Sequence, residues 1–408
     1  MTSNERVVVI GTGLAGVTLA RRLGELGTPV TLIGEEEHRP YNRVLLAEVL
    51  AGRYSPELIA LPAPVAPTVL TRGRVTGIDR AARTVACADG TGIGYDRLVL
   101  ATGSNPVLPP LRGLFTEDHA LPEGVHAFRT MDDCLGLAGA VRPGTRAVVI
   151  GGGLLGVSAA RALAVRGAQV VLAQQSERLM ERQLDPAASK LVRRHLTDLG
   201  VEVHTECRVR DVRCGAGAVR SVEMADGYAL DADLVVLACG VHPRVGLAQA
   251  AGLEVRKGIV VDDELRTSDP RVHAVGDCVQ HAGTVYGLAA PALEQAEALA
   301  ALLAGDAGAR YTGTRSLTRL TLTGPDSPFD LAAFGETEAR PGDDVVQLTD
   351  ATRGTYRKVV VRDDRLIGGV LVGELGTVGA LARAWEGAEP LPSDGGPLLH
   401  LLTNDGGS

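Results

Sequence analysis

The sequence carries no excess of positive charge. It has 49 acidic against 41 basic side chains, which gives a formal net charge of −8 at pH 7. A protein that holds a phosphate polymer needs a positive field over its surface or along a groove. We therefore expect that nucleic acid is not a partner of this chain.

Clustered cysteines and long apolar runs are also missing. The six cysteines include no Cys-x-x-Cys pair and no paired zinc spacing, so we expect a reducing compartment, no disulfide bonds and no metal centre. Cys278 and His281 are close in sequence, but two ligands without partners do not indicate a metal site. No uninterrupted apolar run of about 18 residues occurs, which argues against a membrane span and favours a cytoplasmic protein.

The length and the apolar content indicate several globular domains. At roughly 150 residues per domain, a chain of this size corresponds to two or three domains. The apolar fraction of 45% is enough to give each of them a core. The 51 glycines fall in short motifs and not in a periodic array, which excludes a collagen-like or disordered chain.

The first glycine-rich motif lies close to the N-terminus. Val7 to Ile10 is a continuous run of strand-forming residues, as expected for a parallel strand covered on both faces. The turn that follows has the pattern Gly-x-Gly-x-x-Gly, with Gly11, Gly13 and Gly16. A helical pattern then extends to about Leu26, and Pro29 to Ile33 reads as the next strand, followed by Glu35. This order of elements is typical of a dinucleotide-binding unit.

Each residue of this motif has a physical task in such a unit. Gly11 allows a tight turn, Gly13 lets backbone N–H groups approach a pyrophosphate, and Gly16 lets the helix pack closely on the strand. The N-terminus of the helix adds partial positive charge. Glu35 can accept hydrogen bonds from a ribose hydroxyl.

The same unit recurs 140 residues further on, with Gly151 in the place of Gly11. Ala147 to Ile150 is the strand, a helix extends to about Arg166, and Gln169 to Ala173 is the second strand. The glycines of its turn are Gly151, Gly153 and Gly156. Two such units in one chain predict two bound nucleotides, most economically one tightly held flavin dinucleotide and one exchangeable nicotinamide dinucleotide.

Three further segments carry a family resemblance. Asp96 to Ser104 resembles the strand-to-loop crossover of the pyridine nucleotide-disulfide oxidoreductase superfamily, and Ala232 to Gly240 is its second copy. Val272 to Cys278 resembles the second flavin-binding motif of that superfamily. The resemblance implies an α/β fold with two Rossmann-like domains of the glutathione-reductase type and a small C-terminal α+β interface domain.

The resemblance also implies which residues bind the two dinucleotides. The FAD set is Gly11, Gly13, Leu14, Ala15, Gly16, Glu35, Arg43, Ala101, Thr102, Gly103, Gly276, Asp277 and Pro291. The NAD(P) set is Gly151, Gly153, Leu154, Leu155, Gly156, Gln175 and Gly240. Arg43 would meet the flavin or the pyrophosphate, Asp277 the ribityl chain, and the helix containing Pro291 would stabilise negative charge on the reduced flavin. No catalytic side chain is expected, because hydride passes directly from nicotinamide to flavin when the two units face each other.

A second resemblance narrows the branch of the superfamily. Pro40 to Gly52 is similar to the flavin domain of NAD(P)H-dependent assimilatory nitrite reductase large subunits, with nitrate reductase electron-transfer subunits and rubredoxin reductases as neighbours, and Leu179 to Asp185 strengthens that match. The segment has no cysteine, so thiol-based disulfide or peroxide reduction lacks its nucleophile. Glu48 stands where ferredoxin reductases of aromatic dioxygenases usually carry a flavin-contacting lysine, so that branch fits less well. The last cysteine is Cys278, so we do not expect this chain to reduce nitrite by itself.

The implied function is that of an FAD-dependent NAD(P)H oxidoreductase. It would pass a hydride from NAD(P)H to FAD and then electrons to a separate protein, namely a nitrite or nitrate reductase component, a rubredoxin or a ferredoxin. The alternative is a flavin-bearing NAD(P)H sensor or assembly protein with low turnover. Gln175 aligns with Glu35 and neither repels nor binds a 2′-phosphate, while Arg178 and Arg182 are close in sequence, so NADH is only weakly favoured.

The domain layout is predicted to be interrupted. The FAD-binding domain would comprise residues 1–118 and 244–310, the NAD(P)-binding domain 119–243, the interface domain 311–386, and a flexible tail 387–408. The interface domain is expected to contain four short strands and a helix. It resembles the domain that often mediates dimers in the superfamily, and this resemblance makes a homodimer of this chain one expected assembly. Its basic residues are more simply explained as solvated strand faces than as a docking patch for an acidic partner. They are Arg353, Arg357, Lys358, Arg362 and Arg365.

Overall fold

The computed structural model describes residues 5–315, 317–324, 328–387 and 402. The strands of these residues are β1 (Val7–Ile10), β2 (Val30–Gly34), β3 (Val69–Arg72), β4 (Val75–Asp79), β5 (Thr84–Cys87), β6 (Gly92–Gly94), β7 (Arg97–Leu100), β8 (Ser104–Pro106), β9 (Val125–Ala127), β10 (Arg146–Ile150), β11 (Gln169–Ala173), β12 (Glu202–His204), β13 (Val209–Gly215), β14 (Ala218–Met224), β15 (Ala229–Asp231), β16 (Leu234–Leu237), β17 (Val241–Pro243), β18 (Ile259–Val261), β19 (Val272–Ala274), β20 (Val279–His281), β21 (Leu317–Thr321), β22 (Asp330–Gly335), β23 (Asp344–Asp350), β24 (Thr355–Arg362) and β25 (Arg365–Val372). The α-helices are α1 (Leu14–Glu25), α2 (Leu46–Leu50), α3 (Met131–Ala140), α4 (Leu154–Val165), α5 (Pro186–Asp198), α6 (Gly246–Ala250), α7 (Ala289–Leu303) and α8 (Val378–Gly387).

The two glycine-rich units form two parallel sheets with the same plan. The first has the strand order β19-β7-β1-β2-β3, and the second has the order β12-β11-β10-β16-β9. In each sheet the strand that leads into the glycine turn, β1 or β10, is central. Both central strands are almost wholly buried because helices cover the sheet faces. The predicted α/β class with two Rossmann-like domains is confirmed.

The chain leaves and re-enters the first unit at one place. β8 pairs antiparallel with β17, with Ser104 opposite Pro243. Further along the chain, β19 joins the first sheet by pairing with β7. The first sheet is therefore built from two separate stretches of sequence. All five strands of the second sheet lie between β8 and β17 in the chain. The residue numbers given above for the domain boundaries stay a prediction.

Helix α2 connects the units through a shared core. Its residues Leu46 and Leu50 are buried in the same apolar cluster as Val157 and Leu163 of α4. Leu322, in the C-terminal unit, belongs to this cluster as well. Apolar burial thus holds the first unit, the second unit and the C-terminal unit against one another.

The C-terminal unit is an antiparallel sheet of order β21-β22-β25-β24-β23 with α8 packed on it. The four predicted strands and the helix are present, and β23 is an additional edge strand. Its alternating half-exposed residues gave a weak apolar pattern, which explains why the sequence did not predict it. The predicted flexible tail, 387–408, lies outside the described residues apart from residues 387 and 402. In the part of the chain that is described, no helix has both the length and the apolar character to cross a membrane.

Candidate dinucleotide-binding sites

Two glycines of the first turn are required by packing. Gly11 has φ +116°, and a Cβ atom there would overlap the carbonyl oxygen of Ala101. A Cβ atom on Gly16 would overlap the carbonyl oxygen of Gly11. The turn, the strand end at Ala101 and the start of α1 are therefore pressed together. Any other residue at position 11 or 16 would push these three segments apart.

The middle glycine of the turn, in contrast, is not required by packing. Gly13 has an ordinary φ of −74°, and a Cβ atom there would meet nothing within 4 Å. No side chain caps the backbone N–H groups at the start of α1, where Leu14 and Ala15 lie. The protein itself does not need glycine at position 13. The open space and the free N–H groups fit a bound pyrophosphate.

The second turn repeats this arrangement. A Cβ atom on Gly151 would overlap the carbonyl oxygen of Ala238, and one on Gly156 would overlap Gly151. A Cβ atom on Gly153 would meet nothing within 4 Å, and the start of α4, at Leu154 and Leu155, again has no side-chain cap. The backbone N–H of Gly151 donates to Ala173 O at 2.8 Å, as that of Gly11 donates to Ile33 O. The second turn therefore offers the same cradle as the first.

Asp277 lies in a polar network beside the first cradle. Its carboxylate accepts hydrogen bonds from Arg129 Nη2 at 2.6 Å and from Ser104 Oγ at 3.0 Å. The preceding Gly276 has φ +83°, donates its N–H to Gln295 of α7 at 2.7 Å, and faces Ala15 of the first turn. Asp277 is held by this network between the first cradle and α7, where it can hydrogen-bond a polyhydroxyl chain.

Arg43 belongs to the same network. Its guanidinium donates to Tyr41 Oη at 2.9 Å and to Arg129 O at 3.0 Å, and it forms an ion pair with Glu36. Tyr41 also accepts the backbone N–H of Met131 at 2.8 Å, and burial raises the pKa of Tyr41. Arg43 is thus a half-buried, fixed cation and not a loose surface arginine.

Glu35 has a cationic partner that the sequence did not indicate. Arg244 forms an ion pair with it, with a second contact from Nη2 to Oε2 of 3.1 Å. The hydrogen bond from Arg244 lowers the pKa of the Glu35 carboxyl. Arg244 also donates its backbone N–H to Gly103 O at 2.9 Å and accepts from Thr102 Oγ1 at 2.7 Å. Glu35 is therefore held as a carboxylate that still has free lone pairs for a ribose hydroxyl.

A cavity of about 240 Å³ lies at the carboxyl ends of β10 and β11. It is lined by Gly151, Gln175, Arg208 and Cys239, among others. Gly240, which follows Cys239, has φ +98° and repeats the position of Gly103. The predicted residues Gly151 and Gln175 thus share one cavity, at the place where parallel α/β sheets bind their ligands.

Helix α7 begins at Ala289, before the predicted start at Pro291. Leu288 precedes the helix and provides no side-chain cap, so the N–H groups of the first turn are free to meet an anion. Pro291 is buried in that first turn, where a missing N–H costs nothing. The helix packs against α1, which brings its N-terminal end close to the first cradle.

Comparison with known proteins gives the family. Residues 5–296 match the model described as pyridine nucleotide-disulphide oxidoreductase, and residues 322–386 match the rubredoxin NAD+ reductase C-terminal domain. The chain belongs to the pyridine nucleotide-disulphide oxidoreductase family. The predicted superfamily is confirmed, and membership implies FAD and NAD(P)H as the bound dinucleotides.

Individual relatives agree with this assignment. The chain is 34% identical over 91% of its length to the assimilatory nitrate reductase electron transfer subunit of Bacillus subtilis (strain 168), and covers 48% of that protein. It is 31% identical over 90% of its length to rubredoxin-NAD(+) reductase of Alcanivorax borkumensis, of which it covers 95%. The structure of a covalent putidaredoxin reductase-putidaredoxin complex superposes with a TM-score of 0.85 at 27% identity and covers 98% of this chain and 99% of that one. The chain spans less than half the length of the nitrate and nitrite reductase relatives.

The thiols are poorly suited to nucleophilic chemistry. Burial raises the pKa of all six cysteines. Cys134 contacts α2 through Leu46 O at 3.4 Å, and burial raises its pKa to about 11. A redox-active thiol in this family would need a lowered pKa and an accessible position.

Glu48 takes part in an ion pair between the units. Arg161, on α4, is fully buried and pairs with it, and Arg53 lies 3.1 Å from its other oxygen. Among the described residues, Arg161 Nε and Nη1 have no hydrogen-bond partner. Position 48, where we expected a lysine in ferredoxin reductases of aromatic dioxygenases, thus holds a glutamate that forms an ion pair with Arg161 of α4.

The basic residues of the C-terminal unit are largely neutralised inside the protein. Lys358 Nζ contacts Asp185 at 3.0 Å, and Arg362 contacts Asp343 at 2.8 Å. Arg357 is buried and pairs with Glu374 at 2.6 Å. These three side chains form ion pairs within the protein and do not form a free basic patch.

Arg129, Arg208 and Arg244 are the site residues that sequence reasoning missed. A capping box, in which Thr130 and Asp133 bond each other's backbone, marks the start of α3 and could have drawn attention to Arg129 just before it. Arg208 and Arg244 reach the cradles only through the fold, because they lie far along the chain from the glycine turns.

Proposed function

We propose that this chain is an FAD-dependent NAD(P)H oxidoreductase that passes a hydride from NAD(P)H to FAD and then electrons to a separate redox protein. The observation that carries the proposal is the pair of glycine turns whose middle residues, Gly13 and Gly153, face open space at the carboxyl ends of two parallel sheets. Two cradles in one chain are what a flavin and a nicotinamide dinucleotide require. The family assignment supports the same function.

The first cradle would hold FAD through this chain's own groups. The N–H groups after Gly13 would bind the pyrophosphate, Glu35 a ribose hydroxyl and Asp277 the ribityl hydroxyls. The free N-terminal turn of α7 would stabilise negative charge at the pyrimidine edge of the ring. Bound FAD supplies the redox chemistry, because it accepts a hydride and releases its electrons singly.

The second cradle would hold the nicotinamide dinucleotide. The N–H groups after Gly153 would bind its pyrophosphate, and the cavity beside Gln175 its adenosine part. Gln175 considered alone favours NADH weakly, and that preference stays a prediction. Exchange of this dinucleotide with solvent is expected, since the cavity is open at the protein surface.

The similar proteins indicate which class of protein accepts the electrons. They include a nitrate reductase electron transfer subunit, a rubredoxin reductase and a putidaredoxin reductase. We therefore propose a nitrite or nitrate reductase component, a rubredoxin or a ferredoxin as the acceptor. A homodimer and a cytoplasmic location stay predictions.

Anaerobic mixing with NADH or NADPH tests the function. The flavin absorbance should bleach within milliseconds to seconds and return when an acceptor protein is added. An NAD(P)H sensor or assembly protein with low turnover would bleach slowly or fail to reoxidise. A protein that binds no FAD when FAD is supplied in excess would overturn the proposal altogether. A panel of nitrite and nitrate reductase components, rubredoxin and ferredoxin would then identify the acceptor class.

A further inference from the structure

The cavity beside the second glycine turn contains one charged side chain. Gln175 lines it at the position where Glu35 stands in the first unit. No aspartate or glutamate is found among the residues that line the cavity, and Arg208 is the single cation. The formal charge of the residues that line this cavity is therefore +1, opposite in sign to that of a ribose-binding carboxylate.

Arg208 is available for a ligand. Its guanidinium has no hydrogen bond or ion pair with any residue that the structure describes. The neighbouring arginines are engaged, because Arg210 and Arg213 both pair with Glu223. Arg178, which follows β11 and was a sequence candidate for coenzyme recognition, is bound to Glu338 at 2.5 Å. The fold thus leaves the cavity arginine free, while Arg178, Arg210 and Arg213 are engaged and Arg182 does not line the cavity.

The chemistry of the cavity fits a phosphate on the adenosine ribose. A carboxylate at position 175 would accept hydrogen bonds from a free 2′-hydroxyl and repel a 2′-phosphate. The amide of Gln175 can donate to a phosphate oxygen, and an arginine binds phosphate through two parallel N–H groups. NADPH differs from NADH only by this 2′-phosphate.

We propose that Arg208 binds the 2′-phosphate of NADPH, so that this chain accepts NADPH as a hydride donor. The inference rests on the proposed function and names the residue that decides its coenzyme. It departs from the weak preference for NADH that Gln175 alone suggests, because Arg208 comes from the segment after β12 and is brought to the cavity by the fold.

The test compares Arg208→Gln with the unmodified holoprotein. The kcat/KM for NADPH should fall roughly tenfold to a hundredfold, while that for NADH should change less than about twofold, as expected when one charge-assisted contact is lost. Arg194→Gln, an exposed arginine on α5, is the matched control and should leave both values unchanged. Gln175→Glu should also lower the value for NADPH selectively, through repulsion.

A binding measurement separates this inference from the proposed function. Calorimetry with 2′,5′-ADP and 5′-AMP needs no turnover, and 2′,5′-ADP should bind more tightly only when Arg208 is present. If that holds while neither coenzyme reduces the flavin, the proposed function fails and the phosphate site stands. Equal losses with NADH and NADPH, or a selective loss in Arg182→Gln instead, would overturn the role of Arg208.

Discussion

The two glycine-rich units place the same residue types in different surroundings. Arg21 on α1 and Arg161 on α4 occupy equivalent positions of the repeat, as do Glu35 and Gln175. Arg21 pairs with Glu25 on the exposed face of its helix, at 2.6 Å, whereas Arg161 is fully buried against Glu48. The repeated motif therefore determines the glycine cradle, while the neighbours of each unit determine the burial and the partners of its other residues.

The outer strands show the same contrast. β9 and β19 both read Val-His-Ala, and their histidines have equivalent registers, with His126 opposite Val236 and His273 opposite Val99. His273 is buried and His126 only partly so. Burial lowers the pKa of both imidazoles, that of His273 to about 4.

Filling one cradle at a time should abolish the binding of one dinucleotide and leave that of the other. Gly13→Val should fold, because its Cβ position is empty, but should be purified without flavin, since the side chain occupies the pyrophosphate position. Gly153→Val should keep its flavin and lose reduction by NAD(P)H. Absorbance spectra after purification, with thermal unfolding of the flavin-free protein, check both variants. A yellow Gly13→Val protein with full flavin content would contradict the assignment of the cradles.

The two equivalent arginines should differ strongly in their effect on stability. Arg161→Leu leaves the largely buried Glu48 with only Arg53 beside it. Removing one member of a buried ion pair costs about 3 kcal/mol or more. Arg21→Leu should leave the free energy of unfolding nearly unchanged, because its ion pair is exposed. Urea unfolding of the holoprotein measures both. The double variant Arg161→Leu with Glu48→Leu should recover much of the loss, and equal effects at positions 21 and 161 would argue against the contrast.

The two histidines should differ in their contribution to acid sensitivity. A histidine in an unfolded chain has a pKa of about 6.5. Between that pH and about 4 the unfolded chain takes up a proton at His273 that the folded protein does not. Its stabilising contribution is complete above pH 6.5 and is lost as the pH falls, by roughly 3 kcal/mol in total. His273→Leu should flatten the profile of unfolding free energy over this range more than His126→Leu, and an unaltered profile would refute the buried neutral imidazole.

The smallest expected effect comes from giving the first cradle the amide of the second. Glu35→Gln loses the charge that Arg244 now balances and one strong acceptor for a ribose hydroxyl. The dissociation constant of FAD should rise about fivefold, corresponding to one hydrogen bond of about 1 kcal/mol. Titration of the flavin-free protein with FAD, followed by fluorescence quenching, measures the change. Arg21→Gln, whose side chain pairs, among the described residues, only with Glu25 of its own helix, serves as the control.

The sequence alone was sufficient to predict the repeated unit and to identify the family. The apolar strand, the glycine pattern and the following helix are local, so α1 and α4 are found close to where the pattern places them. The reason for each glycine could also be predicted from the motif. A C-terminal unit of short strands and a helix was also predicted, but the order of strands in the two parallel sheets was not.

The partners of the site residues could not be predicted in this way. Arg244 reaches Glu35 and Arg129 reaches Asp277 across long stretches of chain, and no local pattern records such pairs. Lys358, Arg362 and Arg357 were interpreted as solvated charges because the sequence does not show their ion-pair partners. These partners are Asp185, Asp343 and Glu374. Charge pairing between distant elements depends on packing, which local periodicity does not contain.

The antiparallel ribbon of β8 and β17 has a consequence for modularity. With Ser104 opposite Pro243, the two ends of the intervening segment enter and leave side by side. A module joined through two adjacent ends can be exchanged for another of similar end spacing without rerouting the host chain. Transplanting residues 107–240 from a homologue with the opposite coenzyme choice is therefore a direct way to change the reductant while the flavin-holding host stays as it is.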